Sequence, residues 1–206
     1  MSAVAEQKHS RSYHRYFEDY AESQVLDENG RVIIRRVYVG RYYRVKLSDR
    51  SLRRQKLLFV LLYLLAAVLF LWAGSTLRVS AVGAAAVFTA AALIALLWLA
   101  VPVFRRLTAP REMEVRAWRE SAEQLRHVSL GAAVCLLACA VVTCGVCAAS
   151  PDHSMAEAVP GLILYVLSGG LALAIHLLER RTEYEILPPK HQRPEGSSPI
   201  RYYAPD

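Results

Sequence analysis

Four long stretches of apolar residues without a charged side chain dominate the hydrophobic pattern of the chain. They cover residues 57–77, 82–104, 130–149 and 159–178. As helices of about 20 residues, each is long enough to cross roughly 30 Å of hydrocarbon. Buried helices of soluble proteins seldom run so far without a charge, and four of them are hard to fit into one globule. The pattern predicts an all-α integral membrane protein with a four-transmembrane-helix bundle.

The positive charges give these spans a direction. Of the 25 Lys and Arg residues, 24 fall before the first span, between the second and third spans, or after the fourth, and Arg78 is the exception. Cytoplasmic segments of membrane proteins are enriched in Lys and Arg, so both termini and the middle loop are expected in the cytoplasm. The first span starts too far from Met1 for a cleaved signal peptide and is interpreted as an uncleaved anchor.

The chain therefore divides into three regions. Residues 1–56 form a basic cytoplasmic N-terminal region, residues 57–178 form the transmembrane domain, and residues 179–206 form a cytoplasmic Pro-rich tail. The outward loops are too short to fold into a domain. Any function outside the membrane is therefore expected on the cytoplasmic side. The tail has the composition of a disordered segment.

The N-terminal region is predicted to form a small α+β cap. Aromatic residues at helical spacing indicate a short amphipathic helix, with Tyr13, Tyr16, Phe17 and Tyr20 on one face. Asn29-Gly30 lies between the strand-like stretches 23–28 and 31–36, and both residues tolerate a positive φ, which predicts a β-hairpin. Ser48 or Asp49 can cap a juxtamembrane helix that continues into the first span.

The cytoplasmic loop 105–129 is predicted to be an amphipathic helix that runs into the third span. Its apolar stripe contains Val115, Trp118, Ala122 and Leu125, and charged pairs at i,i+4 spacing occupy the opposite side. Such a helix is typical of a connector that lies on the membrane surface or on the N-terminal cap. A dedicated partner-binding helix is the alternative.

Small residues in the fourth span favour close helix packing. They are Gly161, Ser168, Gly169 and Ala172. Two starting points for the helix remain open, because Ser154 has the spacing of a capping box whereas Pro160 suits a first helical turn.

Charge and composition change this picture only slightly. The net charge is +7 and the mean hydropathy is +0.23. The charge reflects topology, and the mean hydropathy averages the apolar spans with the polar ends of the chain.

The segment between residues 31 and 56 contains ten basic residues and one acidic residue. Juxtamembrane Lys and Arg attract anionic lipids, so contacts with lipid headgroups or a protein partner are expected, and nucleic acid is not. The candidate contact residues are Arg35, Arg36, Arg41, Arg44, Arg53, Arg54 and Trp118.

The excess of Arg over Lys indicates a GC-rich, bacterial genome and an inner (plasma) membrane.

All four cysteines lie in the third span, where Cys144 and Cys147 form a C-x-x-C motif near the outward end. The motif is similar to that of membrane thiol oxidoreductases, but those enzymes pair it with further cysteines in an outward loop, and this chain has none there. Gly131, Cys135, Cys139, Thr143 and Cys147 follow at four-residue spacing and also suit close packing. A packing ridge and a redox pair are both consistent with the pattern.

No pattern in the chain indicates a cofactor, a metal or a catalytic centre. The spans contain no Asp, Glu, Lys or Arg, which ion-coupled transporters need near the midplane, and the usual nucleotide-binding and hydrolase motifs are missing. The leading hypothesis is a non-catalytic accessory, scaffold or regulatory subunit that docks partners or its own copies on the cytoplasmic side. The alternatives are an oligomeric channel or transporter subunit and a membrane thiol oxidoreductase.

Overall fold

Four long helices form the body of the protein in a computed structural model. The structure describes residues 19–26, 32–77, 83–149, 155–190 and 198–199. The helices are α1 (Asp49–Thr76), α2 (Gly83–Thr108), α3 (Val115–Ala149) and α4 (Met155–Arg180), and each is long and apolar enough to cross a membrane. The four predicted spans are therefore confirmed as helices, and they suggest a multi-pass membrane protein.

Local sequence explains where two of the helices begin. The Ser48 hydroxyl accepts a hydrogen bond from the Ser51 N–H at 3.3 Å, which confirms it as the N-cap of α1. The fourth helix begins at Met155, so Pro160 lies inside it and not in its first turn. Of the two predicted starts, the earlier one agrees with the structure.

The helices close into an antiparallel bundle. Helix α1 packs on α2 and α4, and helix α3 packs on the same two neighbours. Fully buried apolar side chains fill the interior, among them Phe59, Leu99, Leu136, Tyr165 and Ile175. The outer faces are apolar as well, with large exposed side chains such as Leu61, Leu71, Ile94 and Val141. A bundle that is apolar inside and outside is typical of helices that contact lipid.

Close packing of α4 depends on its small residues, as predicted. The Ser168 hydroxyl donates to the carbonyl oxygen of Ala66 in α1 at 2.9 Å, and Ala172 is completely buried. A Cβ added to Gly169 would lie 2.9 Å from Leu137 Cγ in α3. Helix α4 therefore approaches both neighbours at positions where a larger side chain has no room.

Two small sheets lie outside the bundle. Strands β1 (Tyr20–Leu26) and β2 (Val32–Tyr38) pair antiparallel from Tyr20↔Tyr38 to Leu26↔Val32. The predicted hairpin is confirmed, while its Asn29-Gly30 turn lies outside the described residues. Strand β6 (Ser198–Pro199) adds to the free side of β1.

The second sheet, here called the platform, gathers three distant segments of the chain. Its strands are β3 (Tyr42–Val45), β4 (Glu112–Glu114) and β5 (Tyr184–Leu187), in the antiparallel order β4-β3-β5. Each strand lies within a few residues of a helix end, which brings the N-terminal region, the middle loop and the tail to the same end of the bundle.

The platform corrects two sequence predictions. The tail 179–206 is not disordered throughout, because β5 pairs with β3 along its length. The loop 105–129 is not one helix, because α2 continues to Thr108 and β4 follows at 112–114 before α3 begins. Both strands are short, and their ladder hydrogen bonds come from a distant segment. The predicted aromatic helix lies outside the described residues except for Tyr20, which is in a strand.

Two adjacent glycines of α4 provide a matched test of this packing. Gly169→Ala should lower the free energy of unfolding by about 1–3 kcal/mol, because the new methyl group meets Leu137. At Gly170 an added Cβ has nothing within 4 Å, so Gly170→Ala should be neutral or stabilise by up to ~1 kcal/mol through helix propensity. Thermal unfolding in detergent measures both variants, and equal effects at the two positions would contradict the packing described here.

Candidate functional site: a buried ion pair beneath the platform

The most unusual feature of the bundle is an ion pair that is fully buried where α2 and α4 end. Arg106 Nε lies 3.5 Å from Glu179 Oε2, and the two side chains are 1% and 0% exposed. Buried charges are expensive unless they are paired and hydrogen-bonded. The pair therefore constrains the ends of α2 and α4 to lie side by side.

Tyr184 joins strand β5 to this pair. Its hydroxyl donates a short hydrogen bond to Glu179 Oε1, and Arg106 Cζ lies 5.6 Å from the centre of its ring. Burial raises the pKa of the Tyr184 hydroxyl well above its usual range, so the hydroxyl remains a donor at physiological pH. Arg106, Glu179 and Tyr184, here called the buried triad, tie two helices to one strand of the platform.

Further polar contacts surround the triad. Gln55 Nε2 donates to Thr182 Oγ1 at 2.6 Å, which joins α1 to the segment between α4 and β5. Lys56 Nζ donates to the carbonyl oxygen of Ala109. These bonds give two of the three segments that supply platform strands, the middle loop and the tail, a polar contact with α1.

Aromatic and apolar side chains cover the same region. The Tyr43 and Trp118 rings stack at 4.5 Å and 11°, and Trp118 meets Tyr184 edge-on at 6.0 Å. Below them, Val45, Leu52, Ala109 and Met113 form a separate apolar cluster. The platform thus has its own small core, which sits directly on the helix ends.

Surface charges also connect the strands. Lys190, just beyond β5, hydrogen-bonds Glu112 of β4, and Arg44 of β3 lies 3.9 Å from the same carboxylate. The Lys190 hydrogen bond holds the pKa of Glu112 below its usual value. Lys190 Nζ also lies 5.0 Å from the centre of the Tyr42 ring. These exposed contacts fix the tail across the outer face of the platform.

The structure separates the contact residues that the sequence predicted. Arg41, Arg53 and Arg54 are exposed, Arg44 is half-buried on β3, and Trp118 lies against the platform. Arg35 and Arg36 belong to strand β2 in the other sheet. The stripe that contains Trp118 does face inward, since Ala122 and Leu125 are buried. Whether these residues contact lipids or a partner stays a prediction.

Sequence reasoning missed all three members of the triad. In the sequence, Arg106 is one of six basic residues in the middle loop that together indicate topology, and Glu179 lies one residue beyond the predicted span 159–178. An acid next to the apolar end of a span, on the side rich in Arg, could have indicated a buried partner for one of those arginines. The identity of that arginine is not encoded locally.

The cysteines lie away from the triad. All four are free thiols in α3, with Cys139 and Cys147 buried and Cys135 and Cys144 half-buried. The predicted packing ridge holds at Cys139, Thr143 and Cys147, whereas Gly131 faces outward. Within the described ranges, no three His, Cys, Asp or Glu side chains are grouped to hold a metal. The Cys144–Cys147 redox pair stays a prediction.

Removing one member of the ion pair should lower the stability of the protein far more than replacing both members with apolar residues. Arg106→Met leaves Glu179 uncompensated and should destabilise the protein by about 3–5 kcal/mol, while adding Glu179→Leu should recover most of that loss. Arg105→Met is the matched control, because Arg105 is exposed and lies 3.6 Å from Glu120, and it should cost at most about 1 kcal/mol. Thermal unfolding of these three variants and the unsubstituted protein provides the measurement. If the double variant were no more stable than Arg106→Met, the two charges would not act as a pair.

The geometry of the site indicates a structural junction. It contains a paired acid and base, a phenol donor and an aromatic cover, an arrangement that fastens helix ends to a sheet. Comparison with protein-family models, with curated proteins and with solved structures finds no match for this chain.

Proposed function

We propose that this chain is a multi-pass membrane protein of accessory, scaffold or regulatory type, and that the platform is its docking surface for a protein partner. The observation that carries the proposal is the assembly of the platform from three distant segments at one end of the bundle. A surface built in this way keeps a fixed shape, and fixed shape lowers the entropic cost of binding.

The edge of the platform supports a specific mode of docking. Strand β5 is an edge strand among the described residues, so one side of its backbone has no strand partner there. Ile186 on this strand is 54% exposed. An extended segment of a partner can add to such an edge through main-chain hydrogen bonds, with an exposed apolar side chain as anchor.

The positive charges support the proposed orientation. In the sequence, all Lys and Arg residues except Arg78 lie before the first apolar span, between the second and third, or after the fourth, and the positive-inside rule then assigns the platform end, with both termini, to the cytoplasm. We propose a bacterial inner (plasma) membrane as the location. The exposed arginines at the helix ends, including Arg53, Arg54, Arg105 and Arg180, would contact anionic lipid headgroups there.

Single-cysteine labelling tests the orientation. In a variant without the four native cysteines, Arg78→Cys should react with a membrane-impermeant maleimide added to intact cells. Glu185→Cys should react only after the membrane is opened, because β5 belongs to the platform end. Labelling of position 185 in intact cells, with position 78 protected, would reverse the proposed orientation.

Site-specific photocrosslinking tests the docking surface. A photoreactive residue at Glu185 should give one discrete protein adduct in cells, and that adduct should be lost in the Ile186→Asp background. The control is a photoreactive residue at Val141, which is also exposed, on the apolar outer face of α3, and should give no such adduct.

Purification from native expression in mild detergent should then recover the crosslinked partner in stoichiometric amount. A monomer without a partner, together with no adduct at position 185, would contradict the proposal. An adduct that persists in Ile186→Asp would move the docking surface away from β5.

A further inference from the structure

Positive charge exceeds negative charge around the buried triad. Lys56 lies close enough to Arg106 to be repelled by it, and Arg126 lies close enough to Glu179 to interact electrostatically. Arg106 and Arg126 thus share the single carboxylate of Glu179, and Lys56 adds a further positive charge beside Arg106. Two acids at this end of the bundle are engaged elsewhere, since Glu120 pairs with Arg105 and Arg116, and Glu183 pairs with Lys46.

Several buried donors in the same region have no acceptor. Among the described residues, Arg106 Nη2, Arg126 Nε and Trp118 Nε1 make no hydrogen bond, and Arg106 Nε has only its 3.5 Å ionic contact with Glu179. The unpaired acceptors are fewer, namely Glu179 Oε2 and Gln55 Oε1. Leaving buried donors unsatisfied is costly, and more so for charged groups.

These donors surround one side chain. The Trp118 ring lies 6.0 Å from the Tyr184 ring, Arg106 Cζ lies 5.6 Å from the centre of that ring, and Arg126 is an electrostatic neighbour of the Tyr184 hydroxyl. Arg106 is fully buried, whereas Lys56, Arg126 and Trp118 are half-buried. The donor atoms themselves are buried, while other parts of Lys56, Arg126 and Trp118 reach solvent.

We propose that Arg106, Arg126, Trp118 and Lys56 form a binding site for a phosphate group at the membrane surface. A phosphate oxyanion supplies the acceptors and the negative charge that the cluster lacks, and guanidinium groups bind it with well-matched geometry. An anionic phospholipid headgroup and a free phosphate ion share this chemistry. The exposed arginines at the nearby helix ends raise the local concentration of either anion.

The test measures thermal stabilisation of the purified full-length protein in a neutral detergent. The additives are phosphatidylglycerol, phosphatidylcholine and inorganic phosphate at constant ionic strength. Phosphatidylglycerol or inorganic phosphate should raise the melting temperature with a saturable dose dependence, and phosphatidylcholine should not. A response to the lipid alone identifies a headgroup site, and a response to inorganic phosphate as well identifies a site for the free ion.

Two conservative variants remove donors from the site. Arg126→Gln should weaken the apparent affinity by at least about tenfold, and Trp118→Phe, which keeps the stacked ring and loses only Nε1–H, should weaken it by about 3–10-fold. Arg105→Gln removes the same charge as Arg126→Gln from the neighbouring surface and should change the affinity less than twofold.

Equal losses in Arg105→Gln and Arg126→Gln would show that the attraction is only non-specific and would overturn the site. Absence of any saturable stabilisation would also overturn it, since water alone would then satisfy the donors. Either result leaves the proposed docking at β5 intact, because neither Ile186 nor the unpaired backbone side of β5 supplies a donor to this site.

Discussion

The cost of burying charge at the end of an apolar bundle organises the rest of the structure. Arg106 and Glu179 lose their contact with water where α2 and α4 end, and neither is tolerable there without the other. Their pairing fixes the two helix ends against each other. Tyr184 follows Glu179 by five residues and donates to it, so the chain must fold back over the pair immediately after α4.

The platform follows from that return of the chain. Once β5 lies above the helix ends, its backbone groups need partners, and β3 provides them on one side while pairing with β4 on the other. Tyr43 and Trp118 then stack over the junction. The sheet and the bundle therefore share one boundary, where Gln55 and Lys56 of α1 also hold segments of the chain outside the helices.

Features that depend on neighbours in the chain were predictable. The four apolar stretches, the Ser48 cap and the hairpin between β1 and β2 are all encoded within a few residues or turns, and the structure confirms them. The small residues Ser168 and Gly169 likewise predicted close packing. By contrast, β4 has only three residues, and the i,i+4 spacing of its Glu112 from Arg116 also suits a helix. Strand β5 is followed directly by two prolines. Nothing local distinguishes either segment from a loop.

The sequence by itself determined the number of apolar helices, their approximate positions in the chain and the segregation of positive charge to one side of the apolar spans, because hydrophobicity and charge are properties of contiguous segments. Only the tertiary structure decided which of the many arginines is buried, which acid neutralises it, and that the middle loop and the tail are strands of one sheet. These choices depend on the packing of α2 against α3 and of α3 against α4, since that packing determines which charges lose water and must find a partner.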